Sequence, residues 1–189
     1  MNVTAPTVRT SPLLLDRHRS TLIVVDVQHA FARAVPGFDA LVSRATILVR
    51  AARILDVPVI VTEQYPRGLG DTVAPLLEHL DGVERLAKTV FSAARADGFA
   101  LAAERDQVVV CGVEAHVCVN QTVCDLAAAG RQVHVVADAV ASRTAADREA
   151  GLEKMRRTGA LRSSVEMAAF EWLQAAGGDD FKAVQELVK

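Results

Sequence analysis

A chain of 189 residues, 51% hydrophobic and 23% charged, is long enough to bury one sizeable core and reads as a single domain. A formal charge of −2, with no basic run of five or more, gives no electrostatic footprint for nucleic acid or an anionic membrane as partner. Three cysteines, Cys111, Cys118 and Cys124, make an odd count in a chain with no secretory apolar region, so the expectation is free thiols in a reducing cytoplasm.

In chain order, residues 1–20 carry Pro6, Pro12 and only a short apolar run at 13–15, too brief for a membrane span; they read as an N-terminal arm. Residues 21–25 (TLIVV) are apolar at successive positions, the mark of a strand buried on both faces, and end on Asp26. Residues 38–55 space Leu41, Val42, Ala45, Leu48, Val49, Ala52 and Leu55 for a helix that Pro58 terminates. Residues 59–62 form a second strand. A long connection, 63–80, follows with Pro66, Gly68, Gly70 and Pro75 in it, and loops of that length are usually functional. A weaker third strand is expected near 83–88, then a helix over about 96–103. The fourth strand, 107–111, feeds a helix holding Cys118 in its first turn and stopping at Gly130. A fifth strand (132–137) ending on Asp138, a helix (145–157), a sixth strand (160–164) and a helix (165–175) complete the pattern. The core domain is therefore 21–176, and after the break at Gly177-Gly178 residues 177–189 form a tail or short helix.

Strand and helix alternate six times, which predicts an α/β fold of three layers, a parallel sheet with helices on both faces. No Gly-x-Gly-x-x-Gly follows the first strand, which continues Asp26-Val27-Gln28-His29, and no Walker A sequence occurs, so nucleotide binding is not indicated. In open parallel sheets ligands bind beyond the carboxyl ends of the strands. Three residues with usable chemistry sit at such ends: Asp26 after the first strand, Lys88 at the end of the third and Cys118 after the fourth. Each also has a plain reading, as a turn cap, a solvated cation and a packed thiol. Converging, they would make a nucleophile with its base, and the helix terminus with the cation would favour thiolate at Cys118. The cysteine spacings of seven and six match neither a Cys-x-x-Cys redox pair nor a zinc knuckle.

The segments TLIVVDVQHAF (21–31), VIVTEQYPRGLGDT (59–72), AKTVFSA (87–93), VVVCGVEAHVCVNQT (108–122) and VHVVADAVASR (133–143) together resemble the isochorismatase-like cysteine hydrolases, in order and spacing, with the YcaC-related branch most similar. The resemblance implies a six-stranded parallel sheet in the order 3-2-1-4-5-6 and a catalytic triad of Asp26, Lys88 and Cys118. It further implies a cis peptide between Val113 and Glu114 and an oxyanion hole made by the backbone N–H groups of Glu114 and Cys118. The implied function is metal-independent hydrolysis of a small amide or related C–N bond through a Cys118 thioester; vinyl-ether hydrolysis of the isochorismate type, or a non-catalytic oligomeric thiol sensor, are the alternatives. Relatives of this fold are oligomers, so a homo-oligomer, dimer or larger, acting on a small-molecule substrate is expected. Nicotinamidases of the superfamily hold a metal with an Asp and His cluster after the second strand, whereas residues 63–70 here contain no histidine. No metal and no other cofactor is expected. Phe31, in the family's Asp-x-Gln-x-x-Phe pattern, with Tyr65, Phe91 and His116, are the candidate pocket residues, each with a packing role as its alternative. Gln28 reads as a tie for the first loop's backbone, and Asp138 and Arg143 as structural ion-pair or capping residues.

Overall fold

The computed structural model describes residues 11–189, so the first half of the expected N-terminal arm lies outside the described residues. The strands are β1 (Ser20–Val25), β2 (Val59–Gln64), β3 (Arg85–Lys88), β4 (Gln107–Val113), β5 (Gln132–Ala141) and β6 (Leu161–Ser163). The helices are α1 (Phe38–Ile54), α2 (Pro66–Leu69), α3 (Ala74–Leu77), α4 (Cys118–Ala128), α5 (Ala145–Arg157), α6 (Val165–Leu173) and α7 (Gly178–Val188). The strands form one sheet in the order β3-β2-β1-β4-β5-β6, and every neighbouring pair is parallel, as the resemblance implied. The β1 and β4 strands are buried at every position because both faces are covered, which is why they read as unbroken apolar runs.

Alternation along β1 assigns its side chains to two cores. Leu22 and Val24 pack with Leu48 and Val49 of α1, Trp172 of α6 and Val184 of α7. Ile23 and Val25 pack on the opposite face with Val119 and Val123 of α4 and Leu152 and Met155 of α5. The sheet order reverses between β1 and β4, so the chain leaves their carboxyl ends in different directions, the topology at which open α/β sheets place their ligand sites. Gly112 sets how closely the two strands approach at that end: its φ is +120°, and a Cβ there would sit 2.0 Å from the Val25 carbonyl oxygen.

Two expectations are corrected. No helix forms over 96–103; a single 3₁₀ turn at Ala93–Arg95 is followed by irregular chain. Gly98 takes a left-handed φ of +82°, and Phe99 and Leu101 both pack onto the second core, a spacing of two that a helix cannot satisfy. The fifth strand does not end at Asp138 but runs through to Ala141, because a register shift between Val110 and Gly112 lets β5 bulge and rejoin β4. Among the described residues no helix is long and apolar enough to cross a membrane.

Candidate active site

Parallel pairing places the carboxyl ends of β1, β2, β3 and β4 along one rim. Asp26 follows β1 immediately, its backbone at φ +54° and its N–H donating to the Thr62 carbonyl oxygen at 3.1 Å. A non-glycine residue at positive φ is held there by its surroundings, a common feature of functional positions. The Gln64–Lys88 pairing at the end of the β2/β3 ladder brings the Lys88 side chain to the same point.

The three predicted residues converge. Lys88 Nζ donates to Asp26 Oδ2 at 2.7 Å, with both side chains fully buried. The same ammonium donates to Gln64 Oε1 at 2.7 Å and to the Phe91 carbonyl oxygen at 3.1 Å. The other carboxylate oxygen, Asp26 Oδ1, accepts the Thr62 hydroxyl at 2.6 Å. Cys118 is the first residue of α4 and is buried; its Sγ lies 4.0 Å from Gln64 Oε1, the same amide oxygen that accepts from Lys88. A carboxylate, an ammonium and a sulfur are thus linked in one buried network through Lys88 and Gln64.

The resting state of the sulfur differs from the sequence expectation. Burial, and then the Asp26 carboxylate, push the Cys118 thiol up to about 12, and the opposing pull of the Lys88 ammonium is smaller. At neutral pH Cys118 is a thiol. The helix terminus and the cation do not by themselves hold it as thiolate.

Around the sulfur the backbone is arranged in a turn, with the Val113–Glu114 peptide cis. The Glu114 carbonyl oxygen accepts the N–H groups of Val117 (3.0 Å) and Val119 (3.2 Å). Among the described residues neither the Glu114 nor the Cys118 N–H has a protein acceptor, although both residues are buried. Gly151 of α5 backs this turn; a Cβ there would lie 2.5 Å from the Ala115 carbonyl oxygen, so α5 packs close only because that position is glycine.

The candidate pocket residues disperse. Tyr65 is half exposed and lines an open cleft of about 440 Å³ together with Arg67, Lys88, Val90, Arg95 and Asp97. Neither Asp26 nor Cys118 borders that cleft, which lies along the edge strand. Phe31 is partly buried against the first core, and Phe91 is half exposed, contributing its carbonyl to Lys88. His116 is tied to the turn, its Nδ1 3.0 Å from the Ser142 hydroxyl. Two residues of the network went unremarked in the sequence, Thr62 and Gln64. Their signal was available: polar side chains at the end of an otherwise apolar strand beside Asp26 need a partner.

Gln28 ties the rim: its amide nitrogen donates to the Gln64 (3.0 Å) and Gly70 (2.6 Å) carbonyls, and its oxygen accepts the Gln64 N–H at 2.8 Å. Asp138 accepts from Arg44 at 2.9 Å and from the Val165 N–H at the start of α6, whereas Arg143 pairs with Glu114. Among the described residues no group of three or more His, Cys, Asp and Glu side chains is placed to hold a metal ion.

The chain is similar to known proteins over most of its length. Isochorismatase domain-containing protein 2 of Pongo abelii is 41% identical over 176 residues, covering 90% of this chain and 83% of the relative. The structure of the MAR1 ribonuclease from Caenorhabditis elegans superposes with a TM-score of 0.85 at 37% identity, covering 93% of this chain and 92% of that one. The YcaC product of Escherichia coli, described as an octameric hydrolase of unknown specificity, shares the fold at a TM-score of 0.82 and 21% identity, over 95% of this chain and 91% of that one. The isochorismatase domain model matches residues 20–167, and the chain belongs to the isochorismatase-like hydrolase family.

Proposed function

We propose that the protein is a metal-independent cysteine hydrolase that cleaves a small amide or related C–N bond, with Asp26, Lys88 and Cys118 as its catalytic residues. The observation that carries this reading is the fully buried 2.7 Å ion pair of Lys88 and Asp26, joined through Gln64 Oε1 to Cys118 at the carboxyl rim of the sheet. Burying two charges is costly, and a pair kept next to a nucleophile in a family of hydrolases has a chemical use. Asp26 takes the thiol proton as Cys118 Sγ attacks the carbonyl carbon. The C–S bond forms, the C–N bond breaks, and the amine leaves with the proton returned by Asp26. Water deprotonated by Asp26 then attacks the thioester, releasing the acid and restoring the thiol. Lys88 keeps the carboxylate in place and charged between steps. The N–H groups of Glu114 and Cys118, free of protein acceptors, are the donors available to a developing oxyanion.

The test is intact-mass analysis of the protein incubated with a library of small primary amides, with ammonia release measured in parallel. An acyl adduct on Cys118, absent in Cys118→Ala along with turnover, is the expected result; undiminished turnover in Cys118→Ala removes sulfur from the mechanism. The high resting thiol gives the vinyl-ether alternative its footing, since that chemistry relies on the carboxyl group more than the sulfur. Isochorismate turnover that survives Cys118→Ala but is lost in Asp26→Asn selects it. By analogy with the octameric YcaC relative, the working form is a homo-oligomer.

A further inference from the structure

Three consecutive residues at the end of β5 and just beyond it hold three consecutive residues of the turn before Cys118. The Ala141 carbonyl oxygen accepts the Ala115 N–H at 2.8 Å. The Ser142 hydroxyl meets His116 Nδ1 at 3.0 Å. Arg143 grips Glu114: its backbone N–H and its Nε both donate to Glu114 Oε1, at 3.1 and 2.9 Å. The carboxylate is buried, with 8% of its side chain exposed, while the arginine is 59% exposed. A carboxylate kept out of water needs its charge and lone pairs met, and one oxygen carries both contacts here.

The position of Glu114 gives this pair its consequence. Its carboxylate is anchored to the β5–α5 loop, its carbonyl oxygen is fixed by Val117 and Val119, and its own N–H is left without an acceptor. The direction of that N–H is therefore set by the anchors on either side of it. We propose that Arg143 is a positioning residue for the hydrolase reaction: acting through the Glu114 carboxylate, it fixes the Glu114 N–H where the oxyanion of the tetrahedral intermediate forms. This rests on the cysteine-hydrolase reading above, and it gives the Glu114 side chain a use that the sequence did not.

A donor that must be aimed affects only steps that build negative charge on oxygen. Acetylation of Cys118 by p-nitrophenyl acetate passes through such an intermediate, whereas alkylation by iodoacetamide displaces iodide at a saturated carbon and needs no oxyanion donor. The experiment measures both rates at Cys118, by peptide mass spectrometry, in the full chain and in Arg143→Gln, Arg143→Lys and Glu114→Ala. Arg143→Gln keeps the backbone donor and loses Nε, so acetylation falls by about tenfold while alkylation stays within about twofold; Glu114→Ala, which removes the anchor, loses more. Arg143→Lys, which retains the cation, recovers part of the acetylation rate. A merely structural salt bridge lowers the two rates together or neither, and an unchanged ratio of acetylation to alkylation in Arg143→Gln overturns the proposal. If the unmodified protein is alkylated at Cys118 but never acetylated there, the hydrolase reading itself fails and takes this inference with it.

Discussion

Replacing Lys88 by methionine removes an ammonium that makes hydrogen bonds to Asp26 Oδ2, Gln64 Oε1 and the Phe91 carbonyl, and leaves its stem in place. Among the described residues Asp26, fully buried, keeps only the Thr62 hydroxyl as a donor to its side chain. Stranding one member of a buried ion pair costs roughly 3–5 kcal/mol. A second route sets a ceiling: a carboxyl can escape by taking up a proton, which at pH 7 costs about 4 kcal/mol against an ordinary value near 3.9. The expected loss is therefore about 3–4 kcal/mol, a large part of the roughly 5–15 kcal/mol that holds a domain together. At about 2–4 °C per kcal/mol for a chain of this size, Tm drops by roughly 6–16 °C. The loss shrinks as pH falls toward 4, because protonating the stranded carboxyl then costs little against that ordinary value. The double variant Lys88→Met/Asp26→Asn regains most of the difference. Urea denaturation and calorimetry between pH 4 and 8 provide the measurement. A Lys88→Met penalty that is below about 1 kcal/mol, or that does not vary with pH, would refute the claim that these two charges are held out of water against each other.

Two further expectations follow from the buried titratable groups. With the Cys118 thiol at about 12, iodoacetamide alkylation at that residue rises by about tenfold per pH unit from pH 7 through pH 9; a plateau at neutral pH would mean a resting thiolate. His134, buried on β5 with Gln132 Nε2 at 3.1 Å from its Nε2, is pushed by burial from 6.5 down to about 4. The unfolded chain takes up this proton below about pH 6.5 while the folded chain does not, so stability is lost as pH falls toward 4, by about 2–3 kcal/mol. In His134→Gln that part of the acid slope disappears, and an unaltered slope in denaturant titrations assigns it elsewhere.

The fold was legible because its signal is periodic and long. Runs such as 22–25 and 108–111 are apolar at successive positions, as in a sheet covered on both sides, and strand-like segments, some weaker, alternate with helical patterns six times. The misread helix over 96–103 shows where that signal fails. Its alanines favour a helix, but propensity alone is weak, and the left-handed Gly98 with Phe99 and Leu101 both facing the core won. At the site, the residues at strand ends were legible by position, since parallel pairing brings strand ends to one rim whatever lies between. Directions of side chains around loops were not. Phe31, Phe91 and His116 sit near that rim in sequence, yet one packs into a core, one gives its carbonyl to Lys88 and one bonds to Ser142. Gly151 was invisible for a different reason: its role depends on α5 approaching the Ala115 carbonyl, a contact between segments far apart in the chain.

The state of the sulfur links the fold to the chemistry. Sequence position alone argued for a thiolate, because Cys118 opens a helix and a lysine was expected nearby. The structure puts the lysine against Asp26, and the buried sulfur meets more of the carboxylate's charge than of the ammonium's. Such a thiol is unreactive until something removes its proton, and the acceptor that can do so is the carboxylate that the lysine holds still. Deprotonation and attack are then one event, which requires a carbonyl carbon already in reach. A thiol in this state is protected from oxidants and alkylating agents, because those reagents select thiolate. Under the proposed mechanism the three residues have separate duties: losing Cys118 removes the nucleophile, losing Asp26 removes the trigger, and losing Lys88 first removes the stability that keeps the other two together.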